Sequence, residues 1–288
     1  MRFVRAVALT LALAGVAGAC APNTQNTAAS IAEEQAASRQ LVAQMESKDA
    51  LIKDRALNTY VNNVVQKIAQ QRPPGSIPLR AYVVKDATVN AFTTGGGYLF
   101  VNAGLLAAME NEAQWATVAA HEVAHIDRGH ISAGKANRQA IGMAGAIAQI
   151  GAGLLGVGGG LTNLGIGLGQ QAAVSSFSRT QETDADTTGF NYASRAGYNM
   201  VEGARSFEVL SRVYGASRGP NFFSTHPQSP ARQANLTRLA RDSGTDKGRV
   251  GKQTHDKATR KLRKEVLTFL ESEGRDREAA QIRKNLRR

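Results

Sequence analysis

The sequence predicts an α+β domain that is mostly α. Apolar residues recur at three- and four-residue steps through much of the chain, as they do on the buried face of a helix. Two short runs rich in β-branched and aromatic residues, 79–84 and 98–101, predict a small sheet of antiparallel type. With 288 residues, of which 42% are hydrophobic, the chain is long enough to bury a core.

The predicted elements follow one another between Gly and Pro boundaries. Residues 31–71 are expected to be helical, and Pro73 and Pro74 end that region. Pro78 and the glycines at 95–97 bound the two strands. The helical pattern returns after the second strand, and helices are expected over the following segments: 103–132, 185–193, 201–214, 230–241 and 256–288, the last with a break near Gly274.

The amino terminus is typical of an export signal. Arg2 and Arg5 precede an apolar run that is shorter than the roughly 20 residues needed to span a bilayer, so residues 1–19 are predicted to be a signal peptide. The run ends at Cys20, the only cysteine, and resembles a bacterial lipobox. We therefore expect lipidation of Cys20, a tether over 20–30, and an outer-membrane location facing the periplasm. Ordinary cleavage beside an incidental cysteine is the alternative.

The net charge of +12 is concentrated at the carboxyl end, where residues 247–288 carry 14 Lys and Arg against 6 Asp and Glu. We interpret residues 246–288 as a basic helical tail. Phe269 is its only aromatic residue, so a base-stacking surface is not expected and nucleic acid is not predicted as a partner. Binding to anionic lipid or lipopolysaccharide and simple solvation of the tail both remain open.

The segment 142–169 is unusual, because it contains 11 glycines and no charged residue. A buried helix would not carry so many glycines at about 1 kcal/mol each relative to alanine. Three interpretations remain: a flexible loop, a movable lid over a cleft, or an apolar element that touches the membrane.

The candidate catalytic residues lie in the helical segment around His121-Glu122-Val123-Ala124-His125. Residues four apart project from one face of a helix, so both imidazoles can bind one metal ion. Glu122 lies about 100° around the helix from His121, where its carboxylate can act on a water molecule instead of binding the metal. A single cysteine excludes a multi-cysteine metal site.

Several further segments support a known family. Glu182 and Asp186 form a Glu-x-x-x-Asp pattern downstream, and the other segments are Asn90-Ala91-Phe92, Gly96-Gly97-Tyr98-Leu99-Phe100-Val101-Asn102 and His226-Pro227 followed by Arg232. Together with the HExxH helix, they resemble the zinc metallopeptidase family of HtpX and the CAAX prenyl endopeptidase over residues 45–240. The resemblance implies a gluzincin metalloprotease core, which we assign to residues 31–245.

The same resemblance implies roles for individual residues. His121, His125 and Glu182 would bind one Zn²⁺ per chain, and Glu122 would activate water. Asp186 would support a ligand histidine, unless it is an ordinary solvated carboxylate. Arg232 would stabilise the oxyanion or brace the acidic cluster, unless it is a surface arginine. An extended substrate would add to a strand at the edge of the cleft, formed by Gly97, Tyr98, Leu99, Phe100 and Val101, unless this is an interior strand.

His226 precedes Pro227, which restricts it to extended conformations. A neutral imidazole on a cleft loop can take a fourth zinc position and keep the resting enzyme inactive. The alternatives are a hydrogen-bond donor to the tetrahedral intermediate and a cap on the following helix.

These observations predict a zinc metalloendopeptidase that cleaves misfolded or misassembled envelope proteins, attached to the membrane through its lipid anchor. The quality-control role comes from the resemblance. The alternative from another class is a chaperone-like assembly factor with a repressed or lost active site.

Overall fold

The structure is a computed structural model that describes residues 28–136, 177–214, 222–227, 230–242 and 244–287. Its mostly helical architecture with a small sheet confirms the predicted α+β class. The predicted signal peptide, Cys20 and the glycine-rich segment 142–169 lie outside the described residues. In the described part of the chain, no helix is both long and apolar enough to cross a bilayer.

The first helical region consists of two helices, α1 (Ala28–Ser47) and α2 (Arg55–Ala69). Asp49 interrupts the predicted single helix with a φ of 51°, and Asp54 then starts α2 by accepting a hydrogen bond from the Leu57 amide at 3.0 Å. The predicted tether extended to residue 30, whereas α1 already begins at Ala28.

The sheet has three strands, β1 (Arg80–Val84), β2 (Ala91–Gly95) and β3 (Tyr98–Asn102), in the order β1-β3-β2. β2 and β3 are antiparallel and are joined through Gly96 and Gly97, which have φ values of 61° and 92°. β1 pairs with β3 in parallel, so the sheet is mixed and not purely antiparallel. β2 is not among the predicted strands, because its run of strand-favouring residues is only Phe-Thr-Thr and ends at Gly95.

The strand order corrects one functional expectation. β3 contains residues 98–101 of the predicted substrate-binding strand Gly97–Val101, but it is the central strand and pairs with a neighbour on each side. An extended peptide can add only to an unpaired strand edge, so strand addition at β3 is wrong. β1 and β2 are the two outer strands, and α1 packs on β2: Glu34 accepts a hydrogen bond from the Gly96 amide at 2.9 Å, and the Ser38 and Thr94 hydroxyls are 2.6 Å apart.

The helical stretch after the sheet divides into α3 (Ala103–Ala108), α4 (Glu112–Asp127) and α5 (His130–Ala136). Asn111 is the N-cap of α4, and its side chain accepts a hydrogen bond from the Gln114 amide. α4 is buried almost throughout, because the sheet, α2 and later helices pack around it. It therefore lies at the centre of the core.

The remaining helices complete the core around α4. They are α6 (Arg179–Arg195), α7 (Met200–Ala204), α8 (Ser206–Tyr214), α9 (Phe222–Thr225), α10 (Pro230–Asp242), α11 (Lys252–Ser272) and α12 (Asp276–Leu286).

The carboxyl-terminal segment is helical, as predicted, but it does not form a solvated tail. Leu262, Val266 and Ile282 are buried in the same hydrophobic cluster as the residues of α2 and α4. Arg249 also pairs with the buried carboxylate of Glu112 at the start of α4, at 2.9 Å. The apolar faces of α11 and α12 thus belong to the domain core, and most of their basic residues occupy the opposite faces, whereas Arg263 is buried and donates to the Met109 carbonyl.

Candidate metal centre and active site

Two histidines of α4 form the base of the site. His121 and His125 are one turn apart, and their Nε2 atoms lie 3.0 Å from each other. Both side chains are buried, and the Phe177 ring stacks on His125 with centroids 3.7 Å apart. Burial lowers the pKa of His125 well below its ordinary value, so this imidazole is neutral near pH 7. A neutral imidazole is the form that binds metals.

Glu182 reaches the two histidines from α6. Ser178 caps this helix in a reciprocal arrangement with Gln181, which fixes the start of the helix just before Glu182. α6 packs closely on α4 at Gly189, where an added Cβ would lie 2.8 Å from the backbone of Ala120. The buried Glu182 carboxylate lies 3.5 Å from the Nε2 atoms of both His121 and His125. Burial alone would raise the pKa of Glu182, but the neighbouring histidines lower it below the ordinary value.

A fourth donor atom comes from His226, which follows α9. Its Nδ1 lies 3.2 Å from Nε2 of His121 and 3.0 Å from Oε1 of Glu182. The His226 side chain is buried, and the Phe222 ring stacks on it with centroids 4.3 Å apart. The Phe222 amide donates a hydrogen bond to the Val89 carbonyl at 2.9 Å, which fastens α9 to the loop before β2.

The donor atoms of His121, His125, Glu182 and His226 all lie within 4.8 Å of one another. Zinc bonds of 2.0–2.1 Å in a tetrahedron place neighbouring ligand atoms about 3.4 Å apart. The five separations given above, which involve both oxygens of Glu182, run from 3.0 to 3.5 Å and are close to that spacing, so the four residues are placed to hold one metal ion. Three nitrogen donors and one carboxylate are also a chemically suitable set for zinc.

Glu122 lies beside this cluster with a fully buried carboxylate. Neither of its oxygens accepts a hydrogen bond from the described residues, although Nε2 of His226 is 3.2 Å from Oε1. Burial and the nearby negative charge of Glu182 raise the pKa of Glu122 well above its ordinary value. A buried carboxylate whose close contact is the His226 ring can take part in proton transfer once that ring moves, and its raised pKa suits a general base that must also return the proton.

Asp186 and Arg232 contact two of the four donor residues, His121 and Glu182. Oδ1 of Asp186 is 3.0 Å from Nδ1 of His121, the ring nitrogen that faces away from the cluster. Arg232 is 4% exposed and contacts Asp186 through Nε at 2.6 Å and Nη2 at 2.8 Å, and Glu182 through Nη1 at 2.5 Å. Nη1 also donates to the Pro227 carbonyl. Of the two roles considered for Arg232, this geometry favours a brace for the acidic cluster over an oxyanion donor.

His130 and Asp184 adjoin the site, although neither is among the predicted site residues. Nδ1 of His130 is 2.9 Å from Nδ1 of His125, and Nε2 of His130 is 3.3 Å from the Asp184 carboxylate. An uninterrupted helix would direct His130 away from His125. Gly129, with a φ of 65°, ends α4 and changes the chain direction, so that the His130 ring faces His125. The Arg-Gly pair at 128–129 was the available signal for this break.

A buried HExxH helix whose two histidines meet a buried glutamate from a later helix is typical of the gluzincin class of metallopeptidases. Residues 52–240 match the sequence profile of Peptidase family M48. The chain therefore belongs to peptidase family M48.

Several similar proteins support the assignment to a family of peptidases. The chain is 26% identical over 216 residues to the beta-barrel assembly-enhancing protease of Escherichia coli strain K12, covering 73% of this chain and 44% of that protein. The corresponding protease of Yersinia pestis is 28% identical, with 70% and 43% covered. Metalloprotease LoiP of Escherichia coli K12 is 30% identical over 184 residues, with 63% and 68% covered. The chain thus spans less than half the length of the two beta-barrel assembly-enhancing proteases.

Proposed function

We propose that this protein is a zinc-dependent endopeptidase in which Glu122 activates the attacking water. The observation that carries the proposal is the convergence of four donor atoms within 4.8 Å, beside a buried carboxylate that has no hydrogen-bond partner among the described residues. His121, His125 and Glu182 would hold the ion. Bound zinc supplies Lewis-acid polarisation of the scissile carbonyl and lowers the pKa of water to about 7.

Glu122 carries out both proton transfers. Its carboxylate takes a proton from water as the water oxygen attacks the peptide carbonyl carbon. The raised pKa of Glu122 lets the carboxyl group hold that proton until the next step. Glu122 then donates the proton to the peptide nitrogen as the C–N bond breaks, which restores its carboxylate. Asp186, with Oδ1 3.0 Å from Nδ1 of His121, would hold that ring in orientation, and Arg232 balances the charge of the two buried acids.

His226 acts as a gate in this proposal. Its position supports the inference, because Nδ1 faces His121 and Glu182 while Nε2 faces Glu122. An imidazole there occupies the space that water and substrate need beside Glu122. Catalysis therefore requires displacement of His226. The competing role, donation to the tetrahedral intermediate, would require the ring to leave its present contacts with both carboxylates.

Envelope proteins that are misfolded or misassembled are the proposed substrates. The relatives named as beta-barrel assembly-enhancing proteases support this class. The proposed setting is the periplasmic face of the outer membrane, with Cys20 as the lipid attachment site after removal of residues 1–19. The pattern of small residues before the single cysteine supports that setting.

The test of the activity is hydrolysis of casein, as an unfolded substrate, by the full chain purified in detergent with one zinc per chain. We expect a chelator to abolish cleavage and zinc to restore it. Glu122→Gln should keep the metal and lower turnover by at least about 10²-fold, since only the proton acceptor is removed. Glu265→Gln, an exposed glutamate on α11, is the matched control. Normal turnover by Glu122→Gln would refute the assigned role.

A further inference from the structure

His125 has two ring nitrogens with different partners. Nε2 belongs to the donor cluster, whereas Nδ1 points away from it and lies 2.9 Å from Nδ1 of His130. The two rings are nearly edge to face, with centroids 5.0 Å apart and an interplanar angle of 67°. His130 is 6% exposed, so water does not readily replace this contact.

The contact continues from His130 to the next helix. Nε2 of His130 lies 3.3 Å from Oδ2 of Asp184 on α6. Arg128 fixes that carboxylate with two hydrogen bonds, from Nε at 2.7 Å and from Nη2 at 2.5 Å. The four residues His125, His130, Asp184 and Arg128 thus form a continuous hydrogen-bonded series, which we call the His130 relay.

The positions of the protons in the His130 relay follow from the metal site. A ring nitrogen that binds a metal must present its lone pair, so the neutral His125 carries its proton on Nδ1. That N–H donates to His130, whose Nδ1 must then be unprotonated. The remaining proton of neutral His130 lies on Nε2 and points to the Asp184 carboxylate. One assignment therefore satisfies every contact in the relay.

We propose that His130 is a positioning residue for the metal site: it accepts the Nδ1 proton of His125 and so selects the tautomer and orientation in which His125 Nε2 is free to bind the ion. His121 receives the same support directly from Asp186. The inference rests on the proposed function, because it assumes that His125 is a metal ligand. Partners of this kind commonly change metal affinity by about 10–100-fold when they are removed.

The test compares two substitutions of His130 in the full chain purified in detergent. His130→Phe keeps a planar ring but removes both nitrogens. His130→Asn places its side-chain oxygen near the position of Nδ1 and keeps the acceptor. Zinc affinity is measured by competition with a chelator of known affinity, and folding by the melting temperature of the metal-free protein. Thr187→Ala is the control, since among the described residues that hydroxyl donates to a carbonyl of its own helix, at Thr183.

We expect His130→Phe to bind zinc about 10–100-fold more weakly, and His130→Asn and Thr187→Ala to stay within about threefold of wild type. Equal affinity of His130→Phe and wild type would overturn the inference. An equal loss in His130→Asn and His130→Phe would also overturn it, because the acceptor would then not matter. If His130→Phe does not fold, the Asn variant alone still decides, since a tenfold loss there contradicts the proposal.

The tautomer gives a second measurement that a purely structural role would not affect. Nitrogen-15 NMR of the zinc-loaded wild type should show His130 protonated on Nε2 and His125 protonated on Nδ1. A proton on Nδ1 of His130 would refute the relay even if the variants lost affinity. Failure of the wild type to bind zinc would instead overturn the proposed function, and this inference with it. Normal zinc binding by His130→Phe would overturn only the inference.

Discussion

The close contact between α4 and α6 at Gly189 should control both stability and metal affinity. In Gly189→Ala, the new Cβ would lie 2.8 Å from three backbone atoms, the carbonyl carbon and oxygen of Ala120 and the amide nitrogen of His121. Backbone atoms in a helix cannot rotate away. Ordinary contact begins near 3.4 Å, so the two helices must separate by about 0.6 Å.

We expect this separation to move the Glu182 carboxylate away from the two histidines, because Gly189 lies about two turns from Glu182 on the same helix. Overpacking of this kind destabilises a core by about 1–3 kcal/mol, and the better helix propensity of alanine offsets about 1 kcal/mol. We expect a net loss of up to about 2 kcal/mol, which lowers the melting temperature by up to about 8 °C. Zinc affinity should fall at least about tenfold, since ligand positions tolerate only about 0.2 Å of error.

The matched control is Gly248→Ala, whose Cβ would lie 2.5 Å from backbone atoms of Tyr198 and not from the helix that carries the histidines. It should lower the melting temperature without changing the zinc affinity of the folded protein. Calorimetry and chelator competition measure the two quantities. If Gly189→Ala loses stability but binds zinc like the wild type, the helix spacing does not set the ligand geometry and the reasoning fails.

Three other predictions concern His226, Cys20 and His255. His226→Ala should raise the casein turnover of zinc-loaded protein, because the gate is removed; a loss of about 10²–10³-fold with normal folding would instead support the donor role. Cys20→Ser should release the protein from the outer-membrane fraction, whereas retention after a high-salt wash would contradict lipid attachment. His255 is fully buried, and burial lowers its pKa to about 3, so the unfolded chain binds a proton that the folded chain does not. Stability should therefore fall as the pH drops from about 6.5 towards 3, by up to about 1.4 kcal/mol per unit, and His255→Gln should show a shallower fall in urea titrations.

Helix geometry alone predicts only the His121–His125 pair of the donor set, whereas Glu182 was expected from the resemblance. His121 and His125 are four residues apart, and so are Glu182 and Asp186, so each pair shares a helix face whatever the tertiary structure. The resemblance supplied the pairing of the two helices and pointed to His226. The His130 relay escaped prediction because it depends on the chain reversal at Gly129 and on where α6 places Asp184.

The strand order and the C-terminal packing could not be predicted in the same way. The sequence of each strand indicates its own position, but it does not indicate that β1 pairs with β3 in parallel or that β3 lies between β1 and β2. The high charge of residues 246–288 favoured a solvated tail. Its apolar residues recur at helical spacing, and the partner surface that buries them lies far away in the sequence.

The buried position of α11 and α12 has a consequence for the order in which the protein matures. A chain emerges from its amino end during synthesis, so the histidine-bearing α4 is made long before the helices that complete the core around it. Until α11 arrives, Glu112 at the start of α4 lacks its contact with Arg249, and the apolar residues near it stay exposed. We therefore expect a partly made or partly exported chain to have no assembled site, so that proteolytic activity begins only once the last helices are in place.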